Sequence, residues 1–155
     1  MTRAEIKQKL EKKFPGYTFT DDPDNNEGII IKPEELIDIC KYLVNDIDLA
    51  FNFLNFVTAI DRDKTIDVVY MLSSIPMKHR VLLKVSLSRQ DPQVDSVSGI
   101  WPTANWHERE AYDLFGIKFN GHPDLRRIMM FDNWKGYPLR KDFVHENLIH
   151  KPDME

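Results

Sequence analysis

Apolar residues near the N-terminus recur at the interval of an α-helix. Thr2 and Glu5 fit a capping box at the start of a first helix, whose apolar residues lie four apart: Ile6, Leu10 and Phe14. A second helix begins at Pro33, where a proline loses no hydrogen bond. Its apolar positions follow the spacing i, i+3, i+4 and i+7 and predict one buried face: Leu36, Ile39, Cys40 and Leu43.

The pattern changes to alternation in the middle of the sequence. The apolar segment 53–60 predicts one strand, and a polar turn at 61–64 separates it from two alternating segments, 65–72 and 80–87. One side of each alternating segment is apolar and the other is partly polar, which is typical of an antiparallel sheet with one covered face. We therefore predict a two-layer α+β domain in which the two N-terminal helices cover the sheet.

A third helix is predicted from Trp106 to Phe115, and Gly116 is suited to end it. Asn105 and Glu108 fit a second capping box at its start. Four residues share one face of this helix: Trp106, Arg109, Glu110 and Asp113. The spacing leaves two interpretations open, a solvated face with an Arg109–Asp113 pair or a partly buried cluster in which each charge needs a partner.

Residues 126–143 follow neither the helical nor the strand period. They mix proline and glycine with aromatic and basic residues, and residues 126–142 contain five basic and two acidic side chains. Protein interfaces are enriched in tryptophan, tyrosine and arginine. The composition predicts an arm that packs either on its own domain or on an acidic partner.

Composition excludes several classes of protein. The 155 residues suit one domain, and a single cysteine excludes an internal disulfide and a cysteine-ligated zinc or iron–sulfur site. A net charge of −4 disfavours nucleic-acid binding. We find neither a secretory signal nor an apolar run long enough for a membrane span. Nucleotide-binding glycine loops are missing as well.

The segment from Glu108 to Met129 has the spacing of a family signature. It consists of Glu108-Arg109-Glu110, two residues, Asp113-Leu114-Phe115, six residues, His122, three residues, Arg126, one residue and Ile128-Met129. Together with the arm segment Gly136–Phe143, it resembles the thirty-kilodalton subunit of respiratory complex I, which is also called its C subunit. The first 100 residues agree with that family only in length and in their coarse pattern of helices and strands.

The resemblance implies a fold, a complex and partners. The domain would span residues 1–125, with a mixed, largely antiparallel sheet, and residues 126–155 would form an extended arm on a partner. The protein would be a cofactor-free structural subunit in the hydrophilic arm of a proton-translocating NADH:quinone oxidoreductase. FMN, the iron–sulfur clusters, NADH and quinone would be bound by other subunits. The D subunit, with the quinone site, and the B subunit, with the terminal cluster, would be its neighbours on the cytoplasmic side of the cell membrane.

The resemblance implies no catalytic, cofactor-binding or metal-binding residue in this protein. Arg109, Glu110 and Asp113 would form a paired network that orients the helix and the arm. Basic residues of the arm would be donors to an acidic partner surface. The full set of candidate assembly residues is Arg109, Glu110, Asp113, His122, Arg126, Arg127, Trp134, Tyr137, Arg140 and Lys141.

Three alternatives stay open at the level of sequence. The protein could be the equivalent subunit of a membrane-bound hydrogenase or an F420H2 dehydrogenase, since the electron donor, the quinone and the coupling ion are undecided. It could be a stand-alone metal-dependent hydrolase that uses His107, Glu110 and His122, although these lack the usual ligand spacing. It could also be an RNA-binding module that uses the basic arm, against the acidic balance of the rest.

Overall fold

The computed structural model describes residues 1–23 and 28–145. Two helices and two short strands come first: α1 (Arg3–Lys13), β1 (Thr20–Asp21), β2 (Gly28–Ile31) and α2 (Leu36–Asn45), the last preceded by a 3-10 turn at Pro33–Glu35. Three long strands and a short one follow: β3 (Phe53–Asp61), β4 (Thr65–Ser74), β5 (His79–Ser88) and β6 (Gln93–Asp95). The described part then continues with α3 (Ala104–Phe115) and β7 (Lys118–Asn120).

Five strands form one mixed sheet in the order β1-β2-β5-β4-β3. Only β2 and β5 are parallel neighbours in this sheet of the described residues, and the other pairs are antiparallel. Val68 lies opposite Ala59 on one side and Val85 on the other, so the alternating apolar residues of three strands share one face. The predicted α+β fold with a mixed, largely antiparallel sheet is confirmed.

All three helices contribute to the core on that face. Ile6 and Leu10 of α1, Ile39 of α2 and Ala111 of α3 belong to the same buried cluster as Tyr70 of the sheet. Each large apolar side chain that is fully buried stabilises the fold by roughly 1.5–3 kcal/mol. The third helix, which the hydrophobic pattern did not assign to the cover of the sheet, lies along the edge strand β3.

The opposite face of the sheet is partly polar, as the alternation predicts. Lys84 is 3% exposed, and its Nζ lies 2.6 Å from an Asp22 carboxylate oxygen and 3.8 Å from one of Asp67. Asp67 also accepts a hydrogen bond from Ser86 Oγ at 2.6 Å. Because a buried charge is costly without a partner, these ion pairs account for the lysine in the middle of a strand.

A two-stranded parallel sheet of β6 and β7 holds the segments on either side of α3 together. Ser96 follows β6 and donates its backbone N–H to the carbonyl of Asn120 at 2.9 Å. The loop that begins at Ser96 is therefore fixed beside α3.

The two predicted capping boxes differ in outcome. Thr2 and Glu5 form theirs, with the Thr2 N–H 2.7 Å from a Glu5 carboxylate oxygen. The box at Asn105 and Glu108 is wrong, because α3 begins at Ala104, after Thr103, which makes no side-chain cap. Glu108 instead turns into the protein, toward hydrogen-bond donors of a loop that is distant in sequence.

Candidate assembly site

The end of α3 is where the arm returns to the domain. Gly116 has φ +74°, the left-handed conformation that ends the helix as the sequence predicts, and its N–H donates to the carbonyl of Tyr112 at 2.8 Å. A side chain at this position would meet the ring of Tyr137, because the added Cβ would overlap a ring carbon. The glycine thus permits both the turn and the close approach of the arm.

Replacement of Gly116 by alanine is expected to lower the free energy of unfolding by about 1–2 kcal/mol, since a Cβ is strained in the left-handed region. Contact with Tyr137 adds to that loss. Gly99 is the matched control, because it has no heavy atom within 4 Å of an added Cβ. Urea unfolding of both variants measures the difference, and an equal effect of the two substitutions would contradict the role of Gly116.

Asp113 holds the start of the arm. Its side chain is fully buried, and Oδ2 accepts the backbone N–H groups of Ile128, Met129 and Met130 at 3.0, 2.7 and 2.9 Å. Oδ1 accepts a hydrogen bond from Arg127 at 2.7 Å. Burial by itself raises the pKa of Asp113, but these hydrogen bonds outweigh it and the pKa lies below its usual value. The carboxylate is therefore charged and fully paired.

Arg109 has partners other than the one its spacing suggests. Its guanidinium lies 4.8 Å from the centre of the Trp106 ring, and its Nε donates to the carbonyl of Arg126 at 3.3 Å. Asp113 pairs with the arm and not with Arg109, so the simple helical ion pair is wrong. Glu110 is exposed and has no ion pair among the residues that the structure describes. Two of the three charged residues on this face, Arg109 and Asp113, thus make separate contacts to the arm.

Glu108 connects α3 to the loop after β6. It is fully buried, and its carboxylate accepts hydrogen bonds from the Val97 N–H at 2.8 Å and from Ser96 Oγ at 2.5 Å. Burial raises the pKa of Glu108 to about 7, and the two hydrogen bonds only partly oppose that effect. Glu108 therefore holds its proton to a higher pH than an exposed glutamate does.

His122 lies beside Glu108 and has a defined tautomer. Its Nδ1 accepts the Asp124 N–H at 3.0 Å, and its Nε2 lies 3.1 Å from the carbonyl of Asn105. Nε2 therefore carries the proton and donates a hydrogen bond to the carbonyl of Asn105 in α3. The same nitrogen is 3.9 Å from a Glu108 oxygen. His122 fastens the turn after β7 to the first turn of α3.

The middle of the arm packs around Tyr137. The guanidinium groups of Arg140 and Arg127 lie 4.8 and 5.5 Å from the centre of its ring. Nε of Arg140 donates to the carbonyl of Phe115 at 2.6 Å, and the Leu139 N–H donates to the carbonyl of Leu114 at 3.1 Å. These contacts satisfy carbonyl groups at the end of α3 that have no partner inside the helix.

Asp61, at the end of β3, holds the next part of the arm. It pairs with Arg89, which lies 2.7 Å from Asp142, and accepts the Lys141 N–H at 2.9 Å. Burial opposes ionisation of Asp61, but these hydrogen bonds lower its pKa to about 2. The ammonium group of Lys141 lies 3.2 Å from Asp63. Lys141 and Asp142 are therefore held at one end of the sheet.

Aromatic rings form the last described part of the arm. The ring of Trp134 stacks on that of His145 at 4.7 Å and lies 6.2 Å from that of Phe143. Residues 126–145 contain neither a helix nor a strand. Residues 146–155 of the predicted arm lie outside the described residues.

Most of the candidate residues lie close together in the structure, and the contacts that they make are with their own domain. Six of them connect α3 with the segment that follows it: Arg109, Asp113, His122, Arg127, Tyr137 and Arg140. Arg126 is exposed at its side chain and pairs with Asp124 at 2.9 Å. Arg127 and Arg140, which the sequence analysis assigned as donors to an acidic partner surface, donate hydrogen bonds within this protein. Their contact with a partner stays a prediction.

Other exposed residues were missed by sequence reasoning. Five apolar side chains on α3 and the arm are at least half exposed: Trp106 at 62%, Met129 at 64%, Phe131 at 77%, Leu139 at 52% and Val144 at 84%. The available signal was the apolar run 128–131 in a segment without a secondary-structure period. Without a helical or strand period, such a run does not place its apolar side chains on one face that could pack into a core.

Neither a metal-binding cluster nor a membrane-spanning helix occurs in the described part of the protein. Residues 1–23 and 28–145 contain no group of three or more histidine, cysteine, aspartate or glutamate side chains that could hold a metal ion. Within the same ranges, no helix has the length and apolar character that a membrane crossing requires.

Comparison with known proteins gives consistent matches. The model of the family described as respiratory-chain NADH dehydrogenase, 30 Kd subunit, matches residues 29–147. The C subunit of NADH-quinone oxidoreductase from Geotalea uraniireducens is 48% identical over 151 residues, which cover 95% of this chain and 88% of the relative. The corresponding subunit from Geobacter sulfurreducens is 46% identical over 152 residues, covering 95% and 90%.

Solved structures agree in fold. A trypsin-resistant fragment (1-134) of Nqo5 is 32% identical with a TM-score of 0.62, covering 77% of this chain and 98% of the fragment. A polypeptide of the membrane-bound sulfane sulfur reductase, an archaeal respiratory membrane complex, has a TM-score of 0.75 at 21% identity, covering 98% and 95%. The second likeness concerns the fold alone.

Proposed function

The chain belongs to the family of the 30 kDa subunit of respiratory-chain NADH dehydrogenase, and from this premise we propose that its role in the complex is structural. It is a subunit of the hydrophilic arm of an NADH:quinone oxidoreductase. In this proposal it binds none of the FMN, iron–sulfur clusters, NADH or quinone of the complex. It contributes a shaped surface on which other subunits assemble.

The observation that carries the proposal is the way α3 holds the arm. Asp113 fixes residues 128–130 through their backbone, which leaves the side chains of Met129 and Phe131 outside. Trp106, under Arg109, is exposed on the helix next to the start of the arm. Exposed apolar groups that are held rigidly beside polar residues are typical of protein interfaces. The region therefore has the character of a contact surface.

We propose that the quinone-site subunit (the D subunit) covers this surface, with the cluster-bearing B subunit nearby. The exposed parts of Arg126 and Lys141 would face acidic groups of the quinone-site subunit at the rim of the contact. The complex would hold the protein on the cytoplasmic side of the membrane as a peripheral subunit. The family membership supports these assignments, and NADH is the proposed donor because the relatives are named for it.

Purification of the tagged protein from native membranes in mild detergent tests the proposal. We expect iron–sulfur and membrane subunits to copurify, with the quinone-site and cluster-bearing subunits among them, in a fraction that oxidises NADH with quinone. The isolated protein is expected to contain no metal or flavin and to oxidise no NADH. A protein that elutes alone from such membranes, or that oxidises NADH by itself, would overturn the proposal.

The double substitution Met129→Ser and Phe131→Ser is expected to reduce the amount of this protein in the complex at least about tenfold, the usual range for loss of a buried apolar anchor. Both side chains are largely exposed, so the free energy of unfolding of the isolated protein should change by no more than about 0.5 kcal/mol. Quantitative mass spectrometry of the purified complex measures the first effect, and urea unfolding measures the second.

Ile47→Ser is the control for this pair, because Ile47 is 87% exposed on the loop after α2 and not on the arm. It should leave assembly unchanged. Full assembly of the Met129 and Phe131 variant would place the contact with the quinone-site subunit elsewhere on the molecule.

A further inference from the structure

The sheet has a second exposed end, remote from the arm. The arm contacts Asp61 and Arg89, which lie at one end of β3 and β5. The turn between β4 and β5 lies at the other end, where Ser74 is opposite His79. Ten residues of β4 separate the two ends, a length of about 33 Å. A subunit that covers the exposed side chains of Trp106, Met129 and Phe131 need not extend to this turn.

The turn holds apolar side chains in solvent. Ile75 is 62% exposed and Met77 is 44% exposed. The Ile75 N–H donates to Asn52 Oδ1 at 3.1 Å and the Met77 N–H to Ser74 Oγ at 3.3 Å. Because the backbone is tied down, Ile75 and Met77 form a fixed apolar tip, and Phe53, at the same end of β3, is 46% exposed.

Basic residues surround the tip. Two cavities, of about 330 and 410 Å³, open beside the turn, and Lys78, His79 and Arg80 line both of them. Arg3 also lines the smaller cavity, although it pairs with Asp21 at 2.8 Å. Among the described residues that line the two cavities there is no aspartate or glutamate. Lys78 is exposed, and it forms no ion pair with a residue of the described ranges.

His79 stabilises this arrangement from inside. Its ring is 4.9 Å from that of Phe51, and its Nε2 lies 2.7 Å from the carbonyl of Leu49, which accepts the hydrogen bond. The acidic residues Asp46 and Asp48, from the loop that leads to Leu49, are both paired with Lys9. Because Asp46 and Asp48 are paired with Lys9, they do not neutralise Lys78. Among the described residues, Lys78 is thus an unpaired cation next to the exposed side chains of Ile75 and Met77.

We propose that the β4–β5 turn is a second docking surface, which binds an acidic segment with apolar side chains from another subunit of the same complex. The apolar side chains would cover Ile75 and Met77, and a carboxylate would pair with Lys78. Like charges at this rim would be repelled, so charge complementarity favours an acidic occupant. This proposal rests on the proposed function, because it requires neighbouring subunits.

Site-specific photocrosslinking in the assembled complex tests the surface. A benzophenone amino acid at Ile75 is expected to capture a peptide of another subunit that is rich in aspartate or glutamate. Lys78→Glu in the same background should lower the yield about two- to fivefold, the effect of losing one exposed ion pair. The control variant is Lys41→Glu, a charge reversal at an exposed lysine on α2, and it should leave the yield unchanged.

Each outcome decides the proposal. Capture of an acidic peptide that weakens with Lys78→Glu supports it. Capture of lipid only, of a basic peptide, of a second copy only or of nothing in an intact complex would overturn it, as would an equal loss with Lys41→Glu. If the probe variant and the natural protein both fail to enter any complex, the proposed function fails instead. Native gels of the same samples distinguish these cases.

Discussion

Replacement of Asp113 by alanine is expected to lower the free energy of unfolding by about 3–5 kcal/mol, the usual effect of removing one partner of a buried ion pair. The substitution leaves the N–H groups of Ile128, Met129 and Met130 without their acceptor and Arg127 without its carboxylate. Urea unfolding measures the loss. Hydrogen exchange should show faster exchange of these three amides in the variant, because the start of the arm loses its anchor.

Glu110→Ala is the matched control, since Glu110 is a carboxylate on the same helix that is exposed. We expect a change within about 0.5 kcal/mol for it. Asp113→Asn should fall between the two variants, because an amide oxygen can accept some of the backbone hydrogen bonds without the charge. Unchanged protection of residues 128–130 in Asp113→Ala would mean that the arm is held by its other contacts.

Replacement of Glu108 by glutamine is expected to remove a pH dependence from the stability of the protein. Burial raises the pKa of Glu108 from its ordinary value of 4.5 to about 7 in the folded state. Each unit of difference corresponds to about 1.4 kcal/mol, so ionisation of Glu108 costs the folded state about 3 kcal/mol above pH ~7. Glutamine avoids that cost and retains an acceptor for the Val97 N–H and a partner for Ser96 Oγ.

The direction of the effect follows from proton uptake on folding. Below about pH 4.5 Glu108 is protonated in both states, and its protonation favours neither the wild type nor the variant. From there to about 7 the folded protein holds a proton that the unfolded protein has lost, so this contribution to stability is lost as pH rises. Glu108→Gln should therefore gain stability over the wild type across this range and reach a constant difference above it.

Urea unfolding of both proteins from about pH 5 to about pH 8 measures that difference, on either side of the folded-state pKa. Taking the difference removes the opposite pH dependence of carboxylates with lowered pKa, such as Asp61 and Asp113. Glu110→Gln, on the exposed face of the same helix, should differ from the wild type by a nearly constant amount. A flat difference for Glu108→Gln would mean that water or a cation reaches the buried carboxylate.

Both predictions concern residues of the segment that carries the family resemblance. Glu108 fastens α3 to the loop after β6, and Asp113 fastens the arm to α3. His122 binds the turn after β7 to the same helix. The spacing of the signature therefore corresponds to hydrogen bonds that set the shape of the protein. These contacts are the observation on which the proposed structural role rests.

The sequence by itself determined the three helices, the long strands of the sheet and the family. It did not predict the short strands β1, β6 and β7. Helical spacing at Leu36 and Leu43 and alternation at Val68 and Val85 predicted the helices and the covered sheet, because burial of one face imposes a fixed period. Gly116 predicted the end of α3, since few other residues adopt a left-handed conformation without strain. These features depend on neighbours that are close in sequence.

Only the tertiary structure decided which charges meet. Spacing paired Arg109 with Asp113, yet Asp113 binds Arg127 and three amides that lie 15 to 17 residues further along. The spacing also predicted that Glu108 caps the helix, although its carboxylate accepts hydrogen bonds from Ser96 and Val97. The partners of a buried carboxylate are whichever donors the fold places within about 3 Å, and the local period contains no information about them. For the same reason the local sequence does not indicate that Met129 and Phe131 are exposed, because their exposure follows from the binding of this segment's backbone to Asp113.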